Sequence, residues 1–222
     1  MTGLLSDLHR VGFADLGAID PALTSTEVAA AVAKSIDAVN ATSPDVLRVS
    51  TTGSKPPNTY GGNYGLGELP LHTDLAHWHL PPRYVMLRCI VDSSSVATRV
   101  LDSKQLVQYI PSSLMRRAMF TPRRRLDGKM FFLRMLTDDL FRWDPLFLQP
   151  QNSSANSALR LMLDIAPDLP VTNILLSAPG HTILMDNWRV LHGRSAVPTA
   201  DINRQVERVY MEVSANGNQS PT

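Results

Sequence analysis

"NILLSAPGHTILMDNWRVLHGRSA" spans residues 173–196. Its apolar runs are too short for helices and break at Pro179-Gly180, so it reads as two or three strands joined by a turn. Downstream, "RQVERVYMEVSAN" (204–216) sets Val206, Val209 and Met211 among charged neighbours, which predicts a last strand. Upstream, "YVMLRCIVD" (84–92) is nearly continuous in apolar and β-branched residues and predicts a buried strand; "DVLRVSTTG" predicts another from residue 45. "STEVAAAVAKSIDAVN" (25–40) reads as an amphipathic helix with Val28, Val32, Ile36 and Val39 on one face. Thr24 and Glu27 stand at capping-box spacing before it. Residues 102–120 are helical in character with a break at Pro111, whereas "GSKPPNTYGGNYGLGELP" (53–70) is Gly- and Pro-rich and predicts a loop. One helix followed by many short strands and long insertions predicts a mainly β fold with flanking helices, a sandwich or jelly roll.

Bulk composition narrows the class. The 222 residues fit one domain, taken as 1–216, with an insertion around 121–157 that forms a lid and a disordered tail at 217–222. Apolar residues make up 44%, enough for a real core. A formal charge of +1 gives no general pull toward nucleic acid or an anionic membrane. The lone Cys89 excludes an internal disulfide and fits a reducing compartment. Asp7 and Arg10 interrupt the apolar run a secretion signal needs, and no stretch approaches the roughly 20 apolar residues of a membrane span. A cytoplasmic location is the expectation.

"LPLHTDLAHWH" (69–79) carries the chemistry. Side chains two apart on a strand share a face, so His72 and Asp74 can reach one metal ion while Thr73 points away. His77 and His79 flank Trp78 and run into Pro81-Pro82, so they read as a loop pair. A third ligand comes from His192 in "DNWRVLHGR". Two histidines and one carboxylate on one side of an octahedral ion leave three positions open, the arrangement of non-haem Fe(II) oxygenases. Arg204 and Arg208 follow His192 by twelve and sixteen residues, again at same-face spacing. A forked guanidinium near the metal suits the far carboxylate of a dicarboxylate such as 2-oxoglutarate.

The order "HTD", "DNWRVLHGR", "NRQVERVY" resembles the taurine dioxygenase/γ-butyrobetaine hydroxylase superfamily (the TauD/TfdA, clavaminate synthase-like group) over roughly residues 60–213. The resemblance implies a double-stranded β-helix (jelly roll, cupin-like) core with Fe(II), 2-oxoglutarate and O2 as metal, cosubstrate and oxidant. It implies His72, Asp74 and His192 as iron ligands, Arg204 on the distal carboxylate of 2-oxoglutarate, and Arg208 as a supporting arginine. Thr98 in "SVATRVLD" stands where the family has a threonine that touches 2-oxoglutarate, with Asp102 as its trailing acid; the two glycines usual before that threonine are missing here. "FRWDP" (141–145), with Arg142, resembles a piece that shapes the region beside the active site. The two histidines stand closer in sequence than is usual in the family, which implies a trimmed lid. Asp74 keeps the carboxylate that family halogenases replace, which disfavours halogenation. The implied reaction converts 2-oxoglutarate to succinate and CO2 while an unactivated C–H bond of an amino acid or specialised-metabolite intermediate is hydroxylated or otherwise oxidised.

Beyond these residues, Tyr60, Asn63 and Tyr64 in the Gly-rich stretch are candidate substrate contacts, as are Trp78 and Arg142. Residues 116–134, "RRAMFTPRRRLDGKMFFLR", hold seven Lys/Arg against Asp127 alone. A solvated basic face is the commonest meaning of such a run; the sharper one is a dock for an anionic or carrier-tethered substrate. Two competing functions stay open: a Zn-dependent hydrolase, which needs a nearby general base and has no use for an arginine pair, and a non-catalytic binding protein of the same fold.

Overall fold

The computed structural model describes residues 3–39, 41–51, 56 and 59–213; the tail and part of the Gly/Pro-rich stretch lie outside them. In chain order it places α1 (Leu4–Val11), β1 (Phe13–Ala18), α2 (Ser25–Ser35), β2 (Ala38–Val39), β3 (Asp45–Arg48), α3 (Tyr60–Tyr64), β4 (Leu69–His72), β5 (Tyr84–Val91) and β6 (Ala97–Asp102). A 3-10 turn (Ser103–Gln108) leads to α4 (Ser112–Arg117), β7 (Met119–Pro122), β8 (Leu133–Arg134), β9 (Leu148–Pro150) and α5 (Ser153–Ile165). After α5 come β10 (Thr172–Leu175), β11 (His181–Asp186), β12 (Val190–Arg194) and β13 (Gln205–Val213).

All the strand pairs are antiparallel. One sheet runs β1-β11-β5-β13, and the far edge of β13 is shared by β3 and β2. A second runs β10-β6-β12-β4, and a three-stranded sheet runs β8-β7-β9. Between the first two sheets lies an apolar layer with Val85, Leu87 and Cys89 of β5, Ile183 and Met185 of β11, Val100 of β6 and Val190 of β12. The alternate residues Tyr84, Met86, Leu184, Val209 and Met211 pack outward on α1 and α2. Leu71, Leu101 and Leu191 pack outward on the other side, against α4, α5 and the small sheet. Strands buried on both faces read as continuous apolar runs, which is why "YVMLRCIVD" was unambiguous.

The structure departs from expectation in places. The helix from residue 25 ends at Ser35 and Asp37 turns left-handed (φ 54°), so Val39 leaves the helix face for β2, where it is exposed. The stretch 53–70, expected as loop throughout, contains α3 and the start of β4; Thr59 caps α3 by accepting the Gly62 amide. Residues 102–120 open with 3-10 geometry before α4. Residues 121–157, mixed and hard to assign from sequence, hold β8 and β9 and bury Leu133, Met135, Trp143 and Leu148 in the outer apolar cluster. Pro179-Gly180 does make the turn before β11, with Gly180 at φ 84° and the Ile19 carbonyl where a Cβ would stand.

Candidate metal centre

The strand registers assemble the site. His192 pairs directly with His72 across β12 and β4, and with Val100 across β12 and β6. Val100 and Val190 face the inter-sheet layer, so period-2 alternation turns His192, His72 and Thr98 toward the same layer. Opposite, Val206 faces inward, and Arg208, two residues on, follows it. Asp74 lies just past β4, in the turn that leaves the sheet.

His72 Nε2 lies 3.5 Å from Asp74 Oδ1, and His192 Nε2 lies 3.5 Å from Asp74 Oδ2. One ligand atom from each of the three comes within 4.8 Å of the others, and all three residues are buried. Ligands about 2.0–2.2 Å from one ion and at right angles sit roughly 3 Å apart, so this spacing fits a shared ion. The His72 Nδ1–H donates to the Pro70 carbonyl at 2.9 Å, which leaves the Nε2 lone pair facing Asp74. Arg208 Nη1 donates to both Asp74 oxygens at 3.2 Å, and its Nη2 donates to Asp45 at 2.8 Å. Burial pushes the Asp74 carboxyl up, but the Arg208 charge and the two imidazoles outweigh it and hold the group well below the carboxylate range. Burial lowers His192; at His72 burial also pulls down, but the hydrogen bond and charge of Asp74 win and raise it above 6.5.

That direction predicts a pH dependence. A ligand imidazole must be neutral, so a proton on His72 competes with the metal. Divalent-metal affinity should fall as pH drops, starting above 6.5 where His72 begins to protonate. Metal titration between about pH 5 and 8 checks this; a flat affinity contradicts it.

Beside the three residues lies a cavity of about 180 Å³, lined also by Tyr60, Thr98, Arg194 and Arg204. Arg204 is buried, and its guanidinium forms no hydrogen bond or ion pair among the described residues. Burial depresses its pKa, outweighing the more distant charges of Cys89 and Asp201. Arg208, by contrast, is already engaged by Asp74 and Asp45. Tyr60 stacks on His72 with ring centroids 4.2 Å apart. Tyr64 stacks on Tyr60 behind it. Asn63, Tyr64, Trp78 and Arg142 do not line the cavity. Trp78 is 45% exposed, and Arg142 donates to the carbonyls of Ala76, Trp78 and His79, pinning the turn after Asp74. His77 and His79 pack on Phe147 and Phe131, outside the group formed by His72, Asp74 and His192. A larger cavity of about 330 Å³ lies at the start of α2, around Arg88, and holds none of the three ligands.

Three residues of "DNWRVLHGR" contribute in ways the motif alone does not assign. Asn187 holds Asp74 through the backbone, Arg194 ties β12 to the carbonyls of Gly65 and Gly67, and Arg189 pairs with Asp102 at 2.6 Å. Gly193 is required by proximity: a Cβ there would lie 2.5 Å from the Leu69 carbonyl oxygen. Gly193→Ala should push β4 away from β12, destabilise the chain by about 1–3 kcal/mol as other overpacked sites do, and weaken metal binding. Thermal melts and metal titration read both effects; an unchanged melt contradicts the claim.

The fold and this donor set together define the class of protein that the chain resembles. No protein-family model and no curated protein matches it. Among solved structures it is similar to an asparagine oxygenase in complex with Fe(II), (2S,3S)-3-hydroxyasparagine and succinate, at 20% identity and a TM-score of 0.59, over 74% of this chain and 56% of that one. It is also similar to the non-haem iron oxygenase OrfP. The complex with Fe and α-ketoglutaric acid matches at 18% identity and TM-score 0.57, over 77% of this chain and 57% of that one. A variant complex with (3S)-hydroxy-L-Arg gives 16% and 0.59 over the same shares. At such identities the likeness establishes the fold. The chain spans a little over half the length of these proteins.

Proposed function

We propose that the chain is an Fe(II)/2-oxoglutarate-dependent oxygenase, a hydroxylase of an unactivated C–H bond in an amino acid or related small metabolite, built on one double-stranded β-helix domain. His72, Asp74 and His192 hold the iron; Arg204 anchors the distal carboxylate of 2-oxoglutarate, with Thr98 beside it. The observation that carries this reading is the buried Arg204, without an ion pair among the described residues, opening on the same cavity as two imidazoles and a carboxylate. A hydrolytic zinc site has no use for that cation. The donor set fits the group: one carboxylate faces two imidazoles and leaves the cavity side open. When bound, ferrous iron supplies O2 chemistry that side chains lack, coupling decarboxylation of 2-oxoglutarate to succinate and CO2 with oxidation of the substrate.

The protein's own part is positioning and exclusion of water. Arg204 fixes the cosubstrate by charge, Tyr60 closes one wall over His72, and Arg208 keeps Asp74 ionised. The similar asparagine oxygenase and OrfP complexes contain hydroxylated amino acids, which supports an amino-acid substrate here. Tyr60 is the substrate contact the cavity supports best. Arg208, engaged by Asp74, acts on the cosubstrate only through that carboxylate. The basic 116–134 segment carries Arg124, Arg125 and Lys129 exposed around a hairpin turn at Asp127-Gly128, a surface suited to an anionic or carrier-tethered substrate. The buried, unpaired Cys89 suits a cytoplasmic setting.

Anaerobic addition of Fe(II) and 2-oxoglutarate tests the reading. A visible charge-transfer absorption is expected, lost in His72→Ala and weakened in Arg204→Ala. Tight zinc with no such absorption would hand the site to a hydrolase, and stoichiometric binding without succinate formation to a non-catalytic binding protein.

A further inference from the structure

Asp74 has left its strand. β4 ends at His72, and the next residues form a turn in which Leu75 takes a left-handed conformation (φ 54°) that β-carbon residues rarely adopt. Asp74 is nonetheless buried, so its backbone N–H and C=O need partners away from water. Both come from one side chain. Asn187 Oδ1 accepts the Asp74 amide at 2.7 Å, and Asn187 Nδ2 donates to the Asp74 carbonyl at 2.9 Å and to the Pro82 carbonyl at 3.0 Å. Asn187's own amide donates to the Arg83 carbonyl at 2.6 Å, and the residue is fully buried. The carboxamide thus stands in for a neighbouring strand, offering a donor and an acceptor where β4 has run out.

We infer that Asn187 is a positioning residue of the metal site. It fixes the Asp74 backbone, and through it the carboxylate, opposite His72 and His192. The inference rests on the metal reading above and deepens it. Asn187 lies in the turn between β11 and β12, five residues before His192, so one clamp ties both distant halves of the triad to a single rigid element. The left-handed Leu75 turn persists because Asn187 holds it on one side and Arg142, through the Ala76 carbonyl, on the other. No other amino acid presents an acceptor and two donors at this reach: aspartate loses the donors to Asp74 and Pro82, and alanine loses everything.

The test measures Co(II) and Fe(II) affinity of the full chain by anaerobic titration, well below its melting temperature, beside melts of the metal-free protein. Asn187→Ala is expected to raise the metal dissociation constant about 10–100-fold, the range for losing a group that orients a ligand, and to alter the Co(II) visible spectrum. Met162→Ala, a buried change on α5 outside the three ligands and Asn187, serves as the stability control. It should lower the melt at least as far while leaving affinity within about twofold, since independent sites do not couple. Equal affinity in Asn187→Ala and wild type overturns the inference, as does an equal loss in Met162→Ala. If Asn187→Ala does not fold, hydrogen exchange of the Asp74 amide in the metal-free wild type decides. Protection matching the amides of β12 supports the clamp; rapid exchange overturns it. Wild type that binds no divalent metal sinks the metal reading instead, and the Asp74 amide then reports on the clamp alone.

Discussion

Asp74→Ala should lower Fe(II) affinity by more than about 100-fold, beyond the upper end for loss of a group that merely supports a ligand. The substitution removes the carboxylate that faces both imidazoles. It also strips Arg208 Nη1 of the hydrogen-bond partner it has among the described residues and leaves that cation beside the ion position. Two neutral imidazoles then bring no negative charge to set against the nearby guanidinium, which repels a dication. Loss of fold is separated from loss of ligand by Asp45→Ala. That change takes away the other, exposed partner of Arg208 and should leave metal affinity near wild type. Isothermal titration under argon, with circular dichroism on the same samples, reads the pair. Retention of tight binding in Asp74→Ala would remove this carboxylate from the site.

Arg204→Met should weaken 2-oxoglutarate binding by roughly 30- to 5,000-fold, the equivalent of the 2–5 kcal/mol lost when one partner of a buried charge pair is truncated. Arg204 is buried and its guanidinium makes no ion pair among the described residues, so an incoming carboxylate offsets part of its desolvation. Arg204→Lys keeps the charge but not the planar fork, and should fall between wild type and Met. Metal binding without 2-oxoglutarate should stay intact in both variants, because neither touches a ligand. Cosubstrate titration monitored by the visible absorption measures this. An Arg204→Met protein with wild-type 2-oxoglutarate affinity would mean the dicarboxylate is held elsewhere.

How much of this was legible in the sequence follows from how local each signal is. β5 and β13 could be read because their side chains meet apolar layers on one or both faces, which writes the pattern into consecutive residues. The capping box of α2 was legible for the same reason: Thr24 and Glu27 meet within one turn. α3 and β4 were hidden by composition, since Gly61, Gly62 and Pro70 argue for loop, and only the Thr59 cap and the pairing with β12 decide otherwise. The end of α2 was missed because Ile36 and Val39 continue a helical period that the left-handed Asp37 breaks. At the site, His72 and Asp74 show as a spacing and His192 as a motif, so the triad could be proposed. Asn187 belongs to that motif, but its role could not be read: its partners lie 113 and 105 residues away, and side-chain to backbone pairing leaves no period to find. Nor could sequence say that Arg208, spaced like Arg204, would spend both terminal nitrogens on Asp74 and Asp45.

The most direct measurement is crystallographic. Crystals grown anaerobically with Fe(II) and measured on both sides of the iron absorption edge should show one anomalous peak, about 2.0–2.2 Å from His72 Nε2, His192 Nε2 and an Asp74 carboxylate oxygen. Its remaining side should face the cavity that holds Arg204. No peak at these three atoms, or a metal completed into a closed tetrahedron by a fourth protein ligand, would contradict the assignment.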